Sequence, residues 1–319
     1  MTTTDEVCHN TDLKAWRGQR VLVTGGTGFL ASNLCLRLLE AGADVHATSR
    51  HDHVSGGKST RWWKTDLSSA EEVRSIFAAI QPSVVYHLAG FVGAKPDLSL
   101  VLPTFESLLA STVHILIGAT EFGCKRIVLS GSLTEPGPPS LHAVPSSPYA
   151  AAKWAASAYG RMFHALYQTP VVVAVPFMTF GPRQDPAKLV PSVILSLLRG
   201  EVPKLSSGLW EADWIYVGDV IQGFLDAGIV PGIEGATLEL GSGTKLSTRE
   251  MVEKIAALME TSIKPVFGAI PDRPREPIRI ADTLETKRVL GWAPMTSLTE
   301  GLQRTIQWYA TQMPVRSPR

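Results

Sequence analysis

Val21-Leu22-Val23-Thr24-Gly25-Gly26-Thr27-Gly28-Phe29-Leu30-Ala31 decides the fold. Residues 21–24 read as a buried strand, and an apolar pattern over 32–39 reads as a helix. Between them stands Gly25-x-x-Gly28-x-x-Ala31. In a strand–turn–helix context this spacing marks a dinucleotide-binding turn. Gly25 permits the tight turn, Gly28 lets the backbone approach a pyrophosphate, and Ala31 allows close helix–sheet packing. Thr27, Phe29 and Leu30 complete the turn, and the helix N-terminus then faces the pyrophosphate charge.

Outward from that turn the alternation continues. Residues 44–48, 84–88, 126–130 and 170–175 read as strands, and 71–79, 104–120 and 149–167 as helices. Such alternation implies right-handed βαβ crossovers and a parallel sheet. The expected class is α/β: a doubly wound parallel sheet of the Rossmann kind with a smaller, interleaved C-terminal substrate-binding cap. After Pro176 the rhythm changes. A loop follows Phe180-Gly-Pro, 189–198 is helical, 202–208 is irregular, 215–219 leads into a helix ending near 228, and 237–240 is a strand. Residues 1–17 read as a loose arm. Residues 18–180 plus about 215–240 make up the dinucleotide-binding domain, and 181–214 plus 241–319 the cap.

Composition narrows the partners. The 319 residues carry 30 basic and 29 acidic side chains, a net charge of +1. That balance leaves no footprint for nucleic acid or an anionic membrane. No apolar run reaches membrane-spanning length, and the start lacks a signal-type apolar core. Cys8, Cys35 and Cys124 have neither CxxC nor metal-ligand spacing, Cys35 reading as a core thiol. No zinc motif is present, and no metal is expected. A reducing, cytoplasmic location fits this usage.

The chemistry is carried by Ser147-Pro148-Tyr149-Ala-Ala-Ala-Lys153. Residues four apart share a helix face. A cation beside a phenol stabilises the phenolate, so the tyrosine can exchange a proton with a carbonyl or alcohol oxygen. Ser132, in Val128-Leu-Ser130-Gly-Ser132 at the end of a strand-like run, supplies a hydroxyl upstream. At the end of the second strand stands Thr48-Ser49-Arg50, with no acid for a ribose 2′-hydroxyl. A hydroxyl and a guanidinium suit a 2′-phosphate, which favours NADP(H) over NAD(H). Asp66-Leu67 reads either as a contact beside the adenine or as a helix N-cap region.

Taken together the motifs resemble the extended short-chain dehydrogenase/reductase superfamily, in its NAD-dependent epimerase/dehydratase branch. The resemblance runs from about Val21 to Tyr309. It rests on Thr24-Gly-Gly-Thr-Gly-Phe-Leu-Ala, His87-Leu88-Ala89-Gly90, Ser130-Gly-Ser132, Tyr149-x-x-x-Lys153 and Phe180-Gly-Pro. It continues through Asp213-Trp-Ile-Tyr-Val-Gly-Asp219, Gly241-Ser-Gly, Arg273-Pro-Arg-Glu-Pro and Leu290-Gly-Trp. The resemblance implies nucleotide-linked sugars as substrates. It makes Tyr149 the acid/base, Lys153 the group that lowers its pKa and holds the nicotinamide ribose, and Ser132 the hydroxyl that positions the substrate oxygen. It adds Leu88, Ala89, Gly90 and Pro176 to the cofactor contacts, and His87 reads as structural. The helices over 104–120 and 149–167 match those that pair across a two-fold in this superfamily, so a homodimer is expected.

The departures shape the chemistry. Branch dehydratases carry Asp-Glu after the active-site hydroxyl, where this chain has Leu133 and Thr134, so dehydration is disfavoured. Tyr-Gly becomes Pro136-Gly137. The usual asparagine is Met178, and the arginine before Asp213 is Ala212. Both positions normally help hold the nucleotide diphosphate. Arg273, Lys95, Arg183 and Lys188 are the cations left to grip a phosphate. Thr134, Met178 and Trp210 complete the candidate substrate contacts, the tryptophans Trp62, Trp63, Trp210 and Trp214 reading as packing or as stacking surfaces. The first expectation is an NADPH-dependent ketoreductase of a nucleotide-linked keto-sugar. The alternatives are a nucleotide-sugar epimerase, a reductase of a non-sugar metabolite ketone, and a catalytically silent NADP(H)-binding protein.

Overall fold

The computed structural model describes residues 13–53, 60–93, 95–136, 143–272 and 278–312. Seven parallel strands form the main sheet: β1 (Arg20–Thr24), β2 (Asp44–Ser49), β3 (Arg61–Lys64), β4 (Val84–His87), β5 (Arg126–Ser130), β6 (Val171–Pro176) and, later in the chain, β9 (Thr237–Leu240). Their order is β3-β2-β1-β4-β5-β6-β9. The chain leaves β1 toward β2 and β3, then returns to β1's other flank at β4. That reversal opens a crevice beyond the carboxyl ends of β1 and β4, where ligands bind in doubly wound sheets. Val21, Leu22, Val23, Val85, Ile127, Val128 and Val172 are fully covered, as two layers of helices on a parallel sheet require.

The flanking helices are α1 (Phe29–Glu40), α2 (Ala70–Ile80), α3 (Leu98–Glu121), α4 (Pro148–Tyr167), α5 (Leu189–Arg199) and α6 (Val217–Ile229). The strand–helix alternation read from the sequence is present. The helix read over 104–120 starts earlier, at Leu98, and carries a π-helical turn at Phe105–Ala110. Its 24 residues, with an 18-residue stretch of mean hydropathy 1.6, are long and apolar enough to cross a membrane. The expectation that no run reaches that length is therefore corrected. In the fold Leu108, Ile115 and Leu116 of this helix are buried.

A second, three-stranded sheet joins β7 (Met178–Phe180), β8 (Glu211–Tyr216) and β10 (Lys245–Ser247) in the order β10-β8-β7. With α5, α7 (Thr248–Leu258) and α9 (Leu298–Gln312) it encloses a separate apolar cluster around Phe180, Ile194, Met251, Ile255 and Leu302. The C-terminal stretch does not belong to that cluster alone. α8 (Thr283–Leu290) packs on β9, and Ala281, Leu290 and Trp292 join the core of the main sheet. Placing all of 241–319 in the cap is thus corrected: the Trp292 Nε1–H donates to the Asp219 carbonyl at 3.0 Å and ties this stretch to α6.

Candidate active site

β1 and β4 end side by side, and Thr24 links them. Its Oγ1 accepts from the N–H of Leu88 and of Ala89, each at 3.1 Å, and meets His87 Nδ1 at 2.9 Å. His87 Nε2 reaches Thr112 of α3 at 3.1 Å. Burial, and then the Lys153 charge, push the His87 imidazole down to about 3. This histidine is a neutral strut between two hydroxyls. Leu88, Ala89 and Gly90 are thereby fixed at the mouth of the crevice. Gly25 adopts φ +69°, and a Cβ there would lie 2.8 Å from the Ala89 Cα. The turn after β1 therefore presses directly on the turn after β4, and glycine is demanded twice over.

Gly28 ends the turn as the N-cap of α1 without a side-chain capping bond. The first amides of α1, at Phe29 and Leu30, are left to meet an anion. Thr48 Oγ1 accepts the Gly25 N–H at 3.2 Å, so the second strand also shapes the turn. Sequence and geometry agree that this crevice suits a dinucleotide: a close-approach glycine, an uncapped helix start and a buried carboxyl edge of the sheet.

A second cluster of polar side chains, the candidate reacting groups, lies at the end of β5 and the start of α4. Ser147 caps α4, accepting the Ala150 N–H at 3.2 Å, and Pro148 occupies the first turn. Tyr149 and Lys153 follow one turn apart. Ser132, 7% exposed, stands just past β5 and faces the Tyr149 phenol. Its Oγ also lies 2.8 Å from Thr134 Oγ1. The Lys153 ammonium, 9% exposed, donates to the Ser130 carbonyl at 2.7 Å. The structure thus brings Ser132, Thr134, Tyr149 and Lys153 into one cluster. Burial pushes the Tyr149 phenol up, with the Ser132 side chain opposing it. Burial pushes the Lys153 ammonium down to about 8, with Glu135 opposing. The Lys153 ammonium thus stands one helical turn from the Tyr149 phenol and donates to a backbone carbonyl.

Glu135 is the residue that sequence reasoning misses. It is 9% exposed, and its Oε1 accepts the Ser132 N–H at 2.7 Å. Gly131 leaves it room: a Cβ there would come 3.0 Å from that oxygen. Arg279, from the segment before α8, donates to the carbonyls of Leu133 at 3.2 Å and Glu135 at 3.0 Å, and pairs with Glu239. The loop carrying Ser132 is therefore clamped from both sides.

At the adenosine end Ser49 is buried, and its Oγ accepts the His51 N–H and lies 3.1 Å from His53 Nε2. Arg50 is exposed. Asp66 does not cap α2, a role Ser69 takes. Its Oδ1 accepts from the Ser68 N–H and hydroxyl, which hold its carboxyl below the usual range with a small contribution from Arg50. Leu67 is buried beside it. A cleft of about 510 Å³ lies on the outer flank of the turn, bounded by Gly26, Thr27, Trp62, Arg183 and Trp308. Its lining includes neither Ser132, Tyr149 and Lys153 nor Ser49, Arg50 and Asp66.

The remaining candidates disperse. Pro176 ends β6, paired with Leu240. Met178 and Ala212 are absorbed by the small sheet, opposite Trp214 and Leu246. Trp210 packs edge-on against Trp214 at 6.3 Å. Lys95, Arg183 and Lys188 are exposed, and among the described residues none bonds to the Ser132–Tyr149–Lys153 cluster. Arg273, Gly137, His142 and Cys8 lie outside the described residues. Among the described residues no cluster of metal-ligating side chains occurs.

Three comparisons bear on this geometry. The family model described as the NAD dependent epimerase/dehydratase family matches residues 21–227. The chain is 31% identical to a UDP-glucose 4-epimerase of Mycolicibacterium smegmatis, over 91% of this chain and 98% of that protein. It is 27% identical to a dTDP-D-glucose 4,6-dehydratase of Mus musculus, over 91% of this chain and 88% of that protein. Its fold matches the crystal structure of the Thermus thermophilus UDP-glucose 4-epimerase in complex with NAD with a TM-score of 0.82 at 25% identity, covering 92% of this chain and all of that one.

Proposed function

The chain belongs to the NAD-dependent epimerase/dehydratase family and is an NAD(P)-dependent enzyme of the oxidoreductase type; on that premise we propose that it epimerises a carbinol centre of a nucleotide-linked sugar. The observation that carries this reading is the cluster of Ser132, Tyr149 and Lys153 without a substrate-facing acid pair. A 4,6-dehydration needs an acid and a base beside the reacting hydroxyl, and Leu133 and Thr134 supply neither. Among the described residues the carboxylate bonded to this loop is Glu135, and it turns inward onto the Ser132 N–H. What remains is proton exchange at one oxygen coupled to hydride exchange at its carbon.

The residues divide that work. The Ser132 hydroxyl orients the sugar oxygen and offsets charge on it. Tyr149 takes the hydroxyl proton as the carbonyl forms and returns it when the alcohol re-forms. Lys153 keeps a positive charge beside both and would reach the nicotinamide ribose. A nicotinamide dinucleotide, its pyrophosphate held by the turn at Gly25 and Gly28, would supply the hydride acceptor and donor. The Ser132 N–H is occupied by Glu135, so the serine contributes its hydroxyl alone.

The reductase ranked first by sequence is kept as a second reading because β2 ends in Ser49-Arg50 without an acid, a terminus suited to NADP(H). The relatives favour the epimerase. The two part in a single assay. Incubation with UDP-glucose or UDP-galactose and no added cofactor interconverts the sugars under the first reading. Stoichiometric NADPH oxidation with a keto-sugar nucleotide, and no interconversion, would replace it by the second.

A homodimer and a cytoplasmic location complete the proposal. Leu102, Phe105 and Ile117 on α3 and Leu166 and Tyr167 on α4 are apolar and exposed on two adjacent helices, which supports pairing with a second copy. Cys35 and Cys124 are buried free thiols, pushed up to about 12 by burial, which suits a reducing compartment. Sedimentation of the purified protein tests the dimer.

A further inference from the structure

We propose that Glu135 is a positioning residue whose buried carboxylate keeps Lys153 cationic and holds the Ser132 loop in register, so that the working pH range of the site is set from behind the reacting groups. The inference rests on the reading of Ser132, Tyr149 and Lys153 as the reacting cluster. It concerns a residue that touches none of the reacting atoms.

The geometry carries it in three steps. First, Glu135 is built in, not draped over the surface. Its Oε1 lies 2.7 Å from the Ser132 N, the buried Ser157 of α4 faces its carboxyl, and its own backbone carbonyl is held by Arg279. Second, it is the acid that acts on Lys153. Its carboxylate accepts the Ser132 N–H while the Lys153 ammonium donates to the Ser130 carbonyl two residues away, so two buried groups of opposite charge face one loop, where charges act strongly. Third, the room for it is specific. At Gly131 a side chain would meet Val175 at 2.8 Å and the carboxylate at 3.0 Å, so Gly131 and Glu135 require one another.

The charged and titratable surroundings are few. Facing Lys153 are Glu135, the neutral His87 of β4 and Tyr149 on its own helix. Facing Glu135 are Lys153, Arg161 and Tyr149 of α4, the Glu135 charge adding to the burial that pushes the Tyr149 phenol up, with Arg279 bound to its backbone and paired in turn with Glu239 of β9. Burial disfavours the charged form of both groups. Burial raises the carboxyl, against the opposing Ser157 side chain, the Ser132 N–H and the charge of Lys153. Burial lowers the ammonium to about 8. Each partner's charge therefore sustains the other's. Without the carboxylate, Lys153 sheds its proton at a lower pH and Tyr149 loses the cation beside it.

The test is the pH profile of kcat, with thermal melting and cofactor binding as controls for folding. Glu135→Gln keeps the shape and removes the charge. Its alkaline limb should move to lower pH, so that kcat falls about tenfold at pH 8 and less than about threefold at pH 6.5. Glu135→Asp keeps the charge and should restore the limb. Arg279→Lys loosens the loop without removing that charge and should lower kcat evenly across pH. If Glu135→Gln does not fold, Ser157→Ala serves, since Ser157 favours the charged form of the carboxyl and its loss should move the limb the same way. An unmoved limb in Glu135→Gln, or an equal shift in Arg279→Lys, overturns the inference. Turnover surviving Tyr149→Phe would instead overturn the reading on which it rests.

Discussion

At the end of β5 Ser132, Glu135 and Lys153 are buried and bonded within the fold, whereas beyond the end of β2 Arg50 and Asp66 look out to solvent. Ser132, Glu135 and Lys153 are each under a tenth exposed, and each is bonded to backbone or to its neighbour. Arg50 and Asp66 are exposed, and the ion pair nearest them, Lys64 to Asp52 at 2.8 Å, is on the surface. The two ends of one crevice therefore differ in kind. In a low-dielectric setting charges are strong and mutually dependent, so substitutions there act through protonation and fall on kcat. In water they are weak and separable, so substitutions fall on which cofactor binds.

The sharpest way to break this contrast is Tyr149→Phe. Removing the proton donor should lower kcat by about 10² to 10⁴-fold while leaving cofactor affinity within about threefold. Turnover assays beside calorimetry of cofactor binding read both. A loss of binding with intact turnover would mean the two ends are not divided in this way.

Gly25→Ala comes next, because it strikes the joint between the ends. The added Cβ would stand 2.8 Å from the Ala89 Cα, on a backbone at φ +69°. Left-handed strain and overpacking against backbone together cost about 2–4 kcal/mol. The melting temperature should fall and cofactor binding should weaken at both ends at once. A variant with unchanged melting and binding would show that the β1 and β4 turns do not depend on each other.

The pH response of Lys153 separates activity from stability. Its folded pKa is about 8 against an ordinary 10.5. Between those values the unfolded chain holds one proton more than the folded chain, so this residue's contribution to stability rises with pH. Activity goes the other way, since the cation beside Tyr149 disappears as pH passes about 8. From pH 8 to 10 kcat should fall while the stability difference between the parent and Lys153→Met changes with the sign given. Parallel trends would place the cation elsewhere.

The same contrast governs what can be read from sequence. The β1 turn, the Tyr149–Lys153 spacing and Ser132 are local patterns, set by residues within a few positions, and they stand where the sequence puts them. Glu135 is invisible because its burial depends on Gly131 and on Arg279, whose bond to its carbonyl spans 144 positions. In sequence it is one acid in a loop. The strands β7 and β10 are three residues long and exist through pairing with β8 rather than through propensity. Helix α3 begins earlier than its apolar period suggests because Asp97, accepting the Ser99 N–H at 2.9 Å, caps an extra turn.

The smallest expected effect is the one that tests the exposed end. Arg50 stands beyond β2 in solvent, beside a Ser49 hydroxyl already engaged by His51 and His53. A guanidinium there can bond a 2′-phosphate, but in water that bond competes with hydration and salt. Arg50→Ala should weaken NADP(H) by about 1 kcal/mol, roughly fivefold, and leave NAD(H) unchanged. Raising the ionic strength should erase most of the difference in the parent protein and none of it in the variant. The redox end offers the control, because Glu135 and Lys153 are shielded from mobile ions and the alkaline limb of kcat should hold its place in the same salt series. If salt moves that limb while sparing NADP(H) affinity, the assignment of a dry end and a wet end is reversed.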